Sequence, residues 1–306
     1  MFISHSVADF SKKHDDCYQH SSSSTKTTFI QGLKRIEKIW GKNLCELKLE
    51  FLNDPNDFLT KLEESNYSAN TNLSTLTQTV KLLKILDAPL STYNGFLKLL
   101  KDKTIVREAE RNTNIIVSIQ QKPSLEVLQN KILETNPADI ETYEELRMLL
   151  LVSLYTLSLP IKIRNYVGMK YYNRLTDGGD GYTGNYIIKN TLHIKNYKTG
   201  NSKSVRNIKI TNDFLKTLLE LWEEMNPHVH FLSNSSGREM LQKDVNTTLA
   251  LAGRHYFGLT LNVEDYRHLF IKDELDRDPS LRDKIELSKS LGYGSMNMVD
   301  NMTELF

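Results

Sequence analysis

The sequence predicts a mainly α-helical chain with one small antiparallel sheet, which is an α+β fold. From Phe29 to about residue 111, apolar residues recur at three- and four-residue spacing, the period of amphipathic helices. Residues 185–210 then contain three short runs of strand-forming residues. Helical spacing returns from Asp213 onward. Because one block of strands lies between helices and does not alternate with them, the order favours α+β over α/β.

Composition restricts the class of protein. The chain has 306 residues, of which 39% are hydrophobic, and a formal net charge of +1. This length suggests about two domains, and the charge excludes a uniformly basic protein of the histone type. Cys17 and Cys45 have no metal-binding spacing and make a poor disulfide framework. This use of cysteine favours an intracellular protein with reduced thiols. No apolar run reaches the roughly 18 residues of a membrane span, so we expect no membrane segment.

The first part of the chain divides into a tail and a helical domain. Residues 1–26 are polar and end in a serine run, so they are expected to form a flexible tail that cannot offset its ordering entropy. Residues 27–122 are expected to form a small helical bundle. Its helices are predicted around residues 29–40, 51–62 and 71–86 and from Phe96 onward.

A second domain is expected over residues 123–306. The polar, proline-containing stretch at residues 120–124 marks its beginning. Two helices are predicted near residues 125–133 and 140–157, followed by the strands and then by further helices. The domain therefore carries the sheet of the fold.

Charge is concentrated in this second domain. Residues 160–210 contain ten basic and two acidic residues, whereas residues 211–306 carry a net charge of −6. Tyrosines are interleaved with the basic residues, for example Tyr182, Tyr186 and Tyr197. Basic side chains on a hairpin can neutralise phosphates, and tyrosines can donate hydrogen bonds to phosphate oxygens. The alternative is an ordinary hairpin with lysines on its solvated face.

Four short motifs follow one another in this domain. An arginine, Arg164, comes just after an apolar helix, and Lys198 lies in a Lys-Thr-Gly turn between two predicted strands. The sequence Glu-Asp-Tyr-Arg-His occupies residues 264–268, and Leu-Gly-Tyr-Gly-Ser occupies residues 291–295. In this order, the motifs resemble those of the tyrosine recombinase (phage integrase) family. The segment from Phe29 to Leu62, followed by Asn70-Thr71, is also similar to the core-binding half of divergent members from large DNA viruses and related mobile elements.

The resemblance implies a helical core-binding domain, an integrase-like catalytic domain and a role for each motif. Arg164 and Arg267 would clamp a DNA backbone phosphate, since a guanidinium donates two hydrogen bonds in a planar fork. Lys198 would act as the general acid toward the leaving 5′ hydroxyl. Glu264 stands where the family usually has histidine, and Tyr293 where it has histidine or tryptophan. A carboxylate at Glu264 would turn away toward Arg267, be protonated, or prevent phosphate from binding.

The nucleophile is the largest departure from the family. Its catalytic tyrosine lies about nine residues after the histidine of the last motif, and here that position is Met302, which cannot form a phosphotyrosyl bond. Three explanations stay open. The protein binds DNA without cutting it, Tyr293 is itself the nucleophile, or the chain is altered or truncated at its C-terminus.

The resemblance further implies double-stranded DNA as a partner, a homo-oligomer on that DNA, and no metal or other cofactor. Additional candidates for DNA contact are basic residues near the motifs: Lys162, Lys195, Lys203, Arg206 and His268. A metal site at His228 and His230 is disfavoured because no third ligand follows at a fixed spacing. The alternative function, from another class, is a helical interaction or scaffold protein without DNA chemistry.

Overall fold

A computed structural model of the chain describes residues 6–17, 22–46, 52, 54–175, 182–195 and 206–291. The chain divides into two compact units, Met1–Arg111 and Asn112–Phe306, each with its own hydrophobic core. This division lies within a long helix, whereas the sequence places the boundary after that helix, at residues 120–124. Among the described residues, no helix has the length and apolar character needed to cross a membrane.

The first unit is built from helices. They are α1 (Val7–Cys17), α2 (Ser23–Trp40), α3 (Pro55–Glu63), α4 (Ala69–Ile85) and the first part of α5 (Leu90–Gln120). Ser22, Asp54 and Ser68 begin three of these helices, since their side chains accept hydrogen bonds from the first-turn amides. Gly41 ends α2 at φ 65°, a left-handed conformation that glycine adopts without strain.

Helix α1 differs from the expected flexible tail. Phe10 and His14 are both buried, and the His14 ring stacks on Phe29 with 4.7 Å between ring centroids. Val7, Phe10 and His14 lie three and four residues apart, so they share one face of a helix. The overall polar composition of the segment hides this short apolar face.

The second unit surrounds a central buried helix. Helix α7 (Tyr143–Thr156) is buried on all sides from Leu149 to Thr156, and it packs against the neighbouring helices α6, α9, α10 and α11. The helices of this unit are α6 (Leu125–Leu133), α7, α8 (Ile163–Tyr166), α9 (Asp213–Met225), α10 (Gln242–Phe257), α11 (Val263–Leu275) and α12 (Leu281–Leu291).

In the part of the chain that the structure describes, the sheet has four strands in the order β1–β2–β3–β4. They are β1 (Lys170–Tyr171), β2 (Tyr186–Ile188), β3 (Thr191–Ile194) and β4 (Arg206–Lys209). The last three strands pair antiparallel, at the places that the sequence predicts. The sheet is mixed because β1 pairs parallel with β2, and a two-residue strand is too short to show a period. The predicted α+β class is confirmed.

Candidate functional site

A cleft of about 380 Å³ in the second unit brings together residues from two predicted motifs, Arg164 and Glu264. We call it the Arg164 cleft. The beginnings of three helices, α8, α10 and α11, supply its walls. Its lining consists of Lys162, Ile163, Arg164, Gln242, Asn246, Asn262, Val263 and Glu264.

Helix α8 exposes Arg164 because its other residues face the core. Ile163, Asn165 and Tyr166 are buried, and only Arg164 of this single turn is exposed. The turn is tied to the sheet, since Asn185 Nδ2 donates to the Asn165 carbonyl oxygen at 2.9 Å. The sequence therefore places one charged side chain at the cleft on a turn that is otherwise packed.

The first turn of α11 places Glu264 in the lining of the same cleft. Asn262 Oδ1 accepts hydrogen bonds from the amides of Glu264 (2.9 Å) and Asp265 (3.1 Å), while Asp265 Oδ2 accepts one from the Asn262 amide (2.8 Å). Asp265 Oδ1 also accepts from Lys122 Nζ at 2.5 Å. This reciprocal cap is visible in the sequence as Asn-Val-Glu-Asp, a signal that would have located the start of α11.

Arg267 lies beneath this turn and is 0% exposed. Its Nη2 donates to the carbonyl oxygen of Leu291 at 2.7 Å. Glu264 Oε2 is 3.7 Å from Arg267 Nε, and the Glu264 side chain is 52% exposed. The Glu264 carboxylate is therefore close enough to form an ion pair with Arg267.

Three buried tyrosines lie together in the core of this unit, and one of them, Tyr155, interacts with the charge of Arg267. The ring of Tyr155 lies 5.9 Å from that of Tyr166 and 5.8 Å from that of Tyr266, centroid to centroid. Burial raises the pKa of all three hydroxyls, and the charge of Arg267 offsets this only in part at Tyr155. A nucleophile must be accessible and readily deprotonated. These tyrosines are therefore unsuited to attack a phosphate.

Two of the predicted DNA-binding cations contact the protein itself. Lys195 Nζ donates to the carbonyl oxygen of Tyr182 at 2.5 Å and lies 5.1 Å from the centre of the Tyr186 ring. Arg206 Nη1 donates to the carbonyl oxygen of Lys289 at 3.2 Å and also to that of Ser290. A basic residue on a strand can satisfy backbone carbonyls as well as phosphates, and the sequence does not distinguish the two.

His268 differs from its expected role as a DNA contact. It is only 6% exposed, because it lies with Tyr266 and Arg267 on the part of α11 that is buried in the core. The predicted residues Lys198, Lys203, Tyr293 and Met302 lie outside the described residues. The polar cleft residues that the sequence analysis missed are Gln242, Asn246 and Asn262, and the first two belong to no motif. Within the described ranges, no group of three or more His, Cys, Asp or Glu side chains could hold a metal ion.

Comparison with known proteins gives a clear result for the fold. No protein-family profile and no curated protein sequence matches the chain. Solved structures do match over nearly its whole length. The XerH site-specific recombinase bound to difH substrate matches with a TM-score of 0.58 and 14% identity, covering 97% of this chain and 80% of that one. The fold is that of the tyrosine recombinases.

Two further structures agree with this assignment of the fold. The Tn1549 transposon integrase in complex with transposon right end DNA matches with a TM-score of 0.57 and 14% identity, covering 97% of this chain and 94% of that one. A lambda integrase dimer bound to a COC′ core site matches with a TM-score of 0.56 and 14% identity, covering 99% and 95%. At this identity the likeness concerns the fold alone.

Proposed function

We propose that the chain is a tyrosine-recombinase-like protein that binds duplex DNA and takes part in site-specific recombination or integration within a viral or mobile element. The observation that supports this most is the Arg164 cleft, which joins the first and third motifs in a fold shared with recombinases. The proposal includes assembly of several copies on DNA, as in the lambda integrase dimer.

The chemistry of the Arg164 cleft suits a backbone phosphate. Arg164 offers an exposed guanidinium, whose fork can donate two hydrogen bonds to phosphate oxygens, and Lys162 adds a second positive charge. Helices α10 and α11 both begin at the cleft, and the positive ends of their dipoles favour an anion there. Gln242, Asn246 and Asn262 supply neutral amide groups. Among the described residues that line the cleft, only Glu264 is acidic.

We assign Arg267 a supporting role in this proposal. Its guanidinium lies behind Glu264 and is fully buried, so it stabilises a phosphate directly only when the Glu264 carboxylate moves toward solvent. Lys198 is proposed as the proton donor on the hairpin, by resemblance to the family. No residue from Gly294 to Phe306 is a tyrosine, so we favour DNA binding without the family's usual cleavage step.

The first experiment measures duplex affinity as a function of salt concentration. Arg164→Ala is expected to weaken binding by roughly tenfold or more and to reduce the slope of log K against log salt by about 0.9, the value for one lost phosphate contact. The matched control is Arg282→Ala, which removes an equal charge from an exposed position on α12. Salt-independent binding, or equal effects of the two variants, would favour the scaffold alternative.

The second experiment tests cleavage with a nicked suicide DNA substrate. Tight binding without a denaturant-stable protein–DNA adduct is the expected result. An adduct that forms with the unaltered chain and disappears in Tyr293→Phe would identify Tyr293 as the nucleophile. That outcome would refute the non-cleaving part of the proposal and leave DNA binding intact.

A further inference from the structure

The C-terminal end of α12 is held by arginines from two other elements. Arg206, at the start of β4, donates from Nη1 to the carbonyl oxygens of Lys289 (3.2 Å) and Ser290. Arg267, on α11, donates from Nη2 to the carbonyl oxygen of Leu291 at 2.7 Å. Three consecutive carbonyls of the last turn therefore accept hydrogen bonds from two guanidiniums.

These contacts provide hydrogen-bond donors for carbonyl groups at the end of a helix. The last four carbonyls of a helix have no partner within the helix, and the negative end of its dipole favours a cation. Arginine suits the position because several N–H donors project from one plane and can reach adjacent carbonyls. Arg206 thus links β4 to the last turn of α12. Arg267 contacts the same turn, so the two arginines are connected through it.

We infer that Arg206 is a positioning residue, which fixes the last turn of α12 so that the Leu291 carbonyl holds the Arg267 guanidinium in place. It would act on phosphate binding through Arg267 and make no DNA contact of its own. This differs from the DNA-binding role that the sequence suggests for Arg206. The inference rests on the proposed function only in so far as Arg267 contributes to phosphate binding.

Hydrogen exchange tests the local part of this inference without DNA. In the full chain, Arg206→Ala is expected to raise the exchange rates of the amides in the last turn of α12 by roughly tenfold or more, because the hydrogen bonds it removes involve a charged donor. The control is Lys209→Ala, which removes an exposed charge from the same strand. Equal exchange in the two variants would overturn the inference.

The conservative variant adds a readout that distinguishes positioning from simple loss of packing. Arg206→Lys keeps a charged donor near the carbonyls, so its exchange rates should lie closer to those of the unaltered chain than to those of Arg206→Ala. Rates equal to those of Arg206→Ala would contradict the role assigned to the hydrogen bonds. If Arg206→Ala does not fold, Arg206→Gln replaces it, with the same two outcomes.

A double-mutant cycle on duplex affinity tests the coupling to Arg267. If Arg206 acts through Arg267, Arg206→Ala weakens binding in the unaltered chain and has little further effect in Arg267→Ala. If Arg206 instead contacts a phosphate, the two effects multiply and the salt slope falls by about 0.9 for Arg206→Ala alone, which would overturn the inference. Failure of the unaltered chain to bind DNA would refute the proposed function, and hydrogen exchange would then decide the role of Arg206.

Discussion

Replacing Glu264 with glutamine is the most direct test of whether this carboxylate opposes phosphate binding in the Arg164 cleft. The Glu264 carboxylate lines the cleft and lies 3.7 Å from Arg267 Nε, so it occupies a position beside the charge that a phosphate would need. Glutamine has nearly the same shape and no charge. Glu264→Gln should therefore strengthen DNA binding, whereas loss of most charged side chains from a binding site weakens it.

The magnitude follows from Coulomb's law with a correction for solvent. Two like charges about 4 Å apart repel by about 4 kcal/mol at an effective dielectric constant of 20. The Glu264 side chain is 52% exposed, so water screens the repulsion, and the value for exposed pairs is nearer 1 kcal/mol. A gain of about 1 kcal/mol corresponds to roughly fivefold tighter binding.

The assay is equilibrium binding of a fluorescent duplex at about 0.1 M salt and again at about 0.5 M, where the gain should shrink because salt screens exposed charges. The control, Glu286→Gln, removes the same charge from an exposed pair with a similar separation, 3.8 Å between Glu286 Oε1 and Lys289 Nζ. Equal affinities of the two variants, or weaker binding of Glu264→Gln, would refute the view that Glu264 competes with phosphate.

Three further predictions concern the structure that supports the site. Lys122→Met should lower the free energy of unfolding by about 2 kcal/mol in urea titrations. This value lies between those of exposed and buried ion pairs, because the side chains of Lys122 and Asp265 are 16% and 14% exposed. The control is Lys103→Met, which should lower the free energy of unfolding by less than about 1 kcal/mol because the pair of Lys103 with Glu63 is exposed. Phe10→Ala should cost about 3 kcal/mol if α1 is part of the first core, and an unchanged midpoint would show that it is not. Burial and the nearby charge of Lys81 lower the pKa of His14, and Asp15 opposes this only in part. The unfolded chain therefore binds the proton more readily than the folded chain, and the free energy of unfolding should fall as the pH drops below 6.5. His14→Leu should lose this pH dependence when unfolding is measured between about pH 5 and 8.

The regular elements were the most predictable part of the fold. The helix Leu125–Leu133 and the strands β2 to β4 lie where period and turn residues place them, because each has a packed face long enough to show a pattern. Strand β1 and helix α1 were missed for the opposite reason. One is two residues long, and the apolar face of the other is diluted by charged neighbours.

The site was predictable in its residue types more than in their partners. Arg164 and Glu264 were chosen from motifs, and they line one cleft. Arg206 was chosen for its charge and His268 for its place in the third motif. In the structure, Arg206 contacts the end of a helix and His268 is buried in the core. Whether an arginine meets a phosphate or a backbone carbonyl depends on residues distant in sequence, here 83 positions between Arg206 and Lys289, and no local pattern contains that information.

The departures from the recombinase pattern affect the requirements of DNA cleavage more than those of DNA binding. Cleavage requires an accessible nucleophile and transition-state charge stabilisation by preorganised donors. Here Arg267 is buried and paired with Glu264, so part of its charge is already neutralised in the ground state. Tyr155, Tyr166 and Tyr266 are buried with raised pKa values, and Met302 cannot replace a tyrosine. Binding needs only an exposed cation and favourable helix ends, which the Arg164 cleft retains. If the chain binds DNA without cutting it, as we propose, a change that introduced cleavage would have to remove the carboxylate at Glu264 and supply an accessible tyrosine near Met302, unless Tyr293 already serves as the nucleophile.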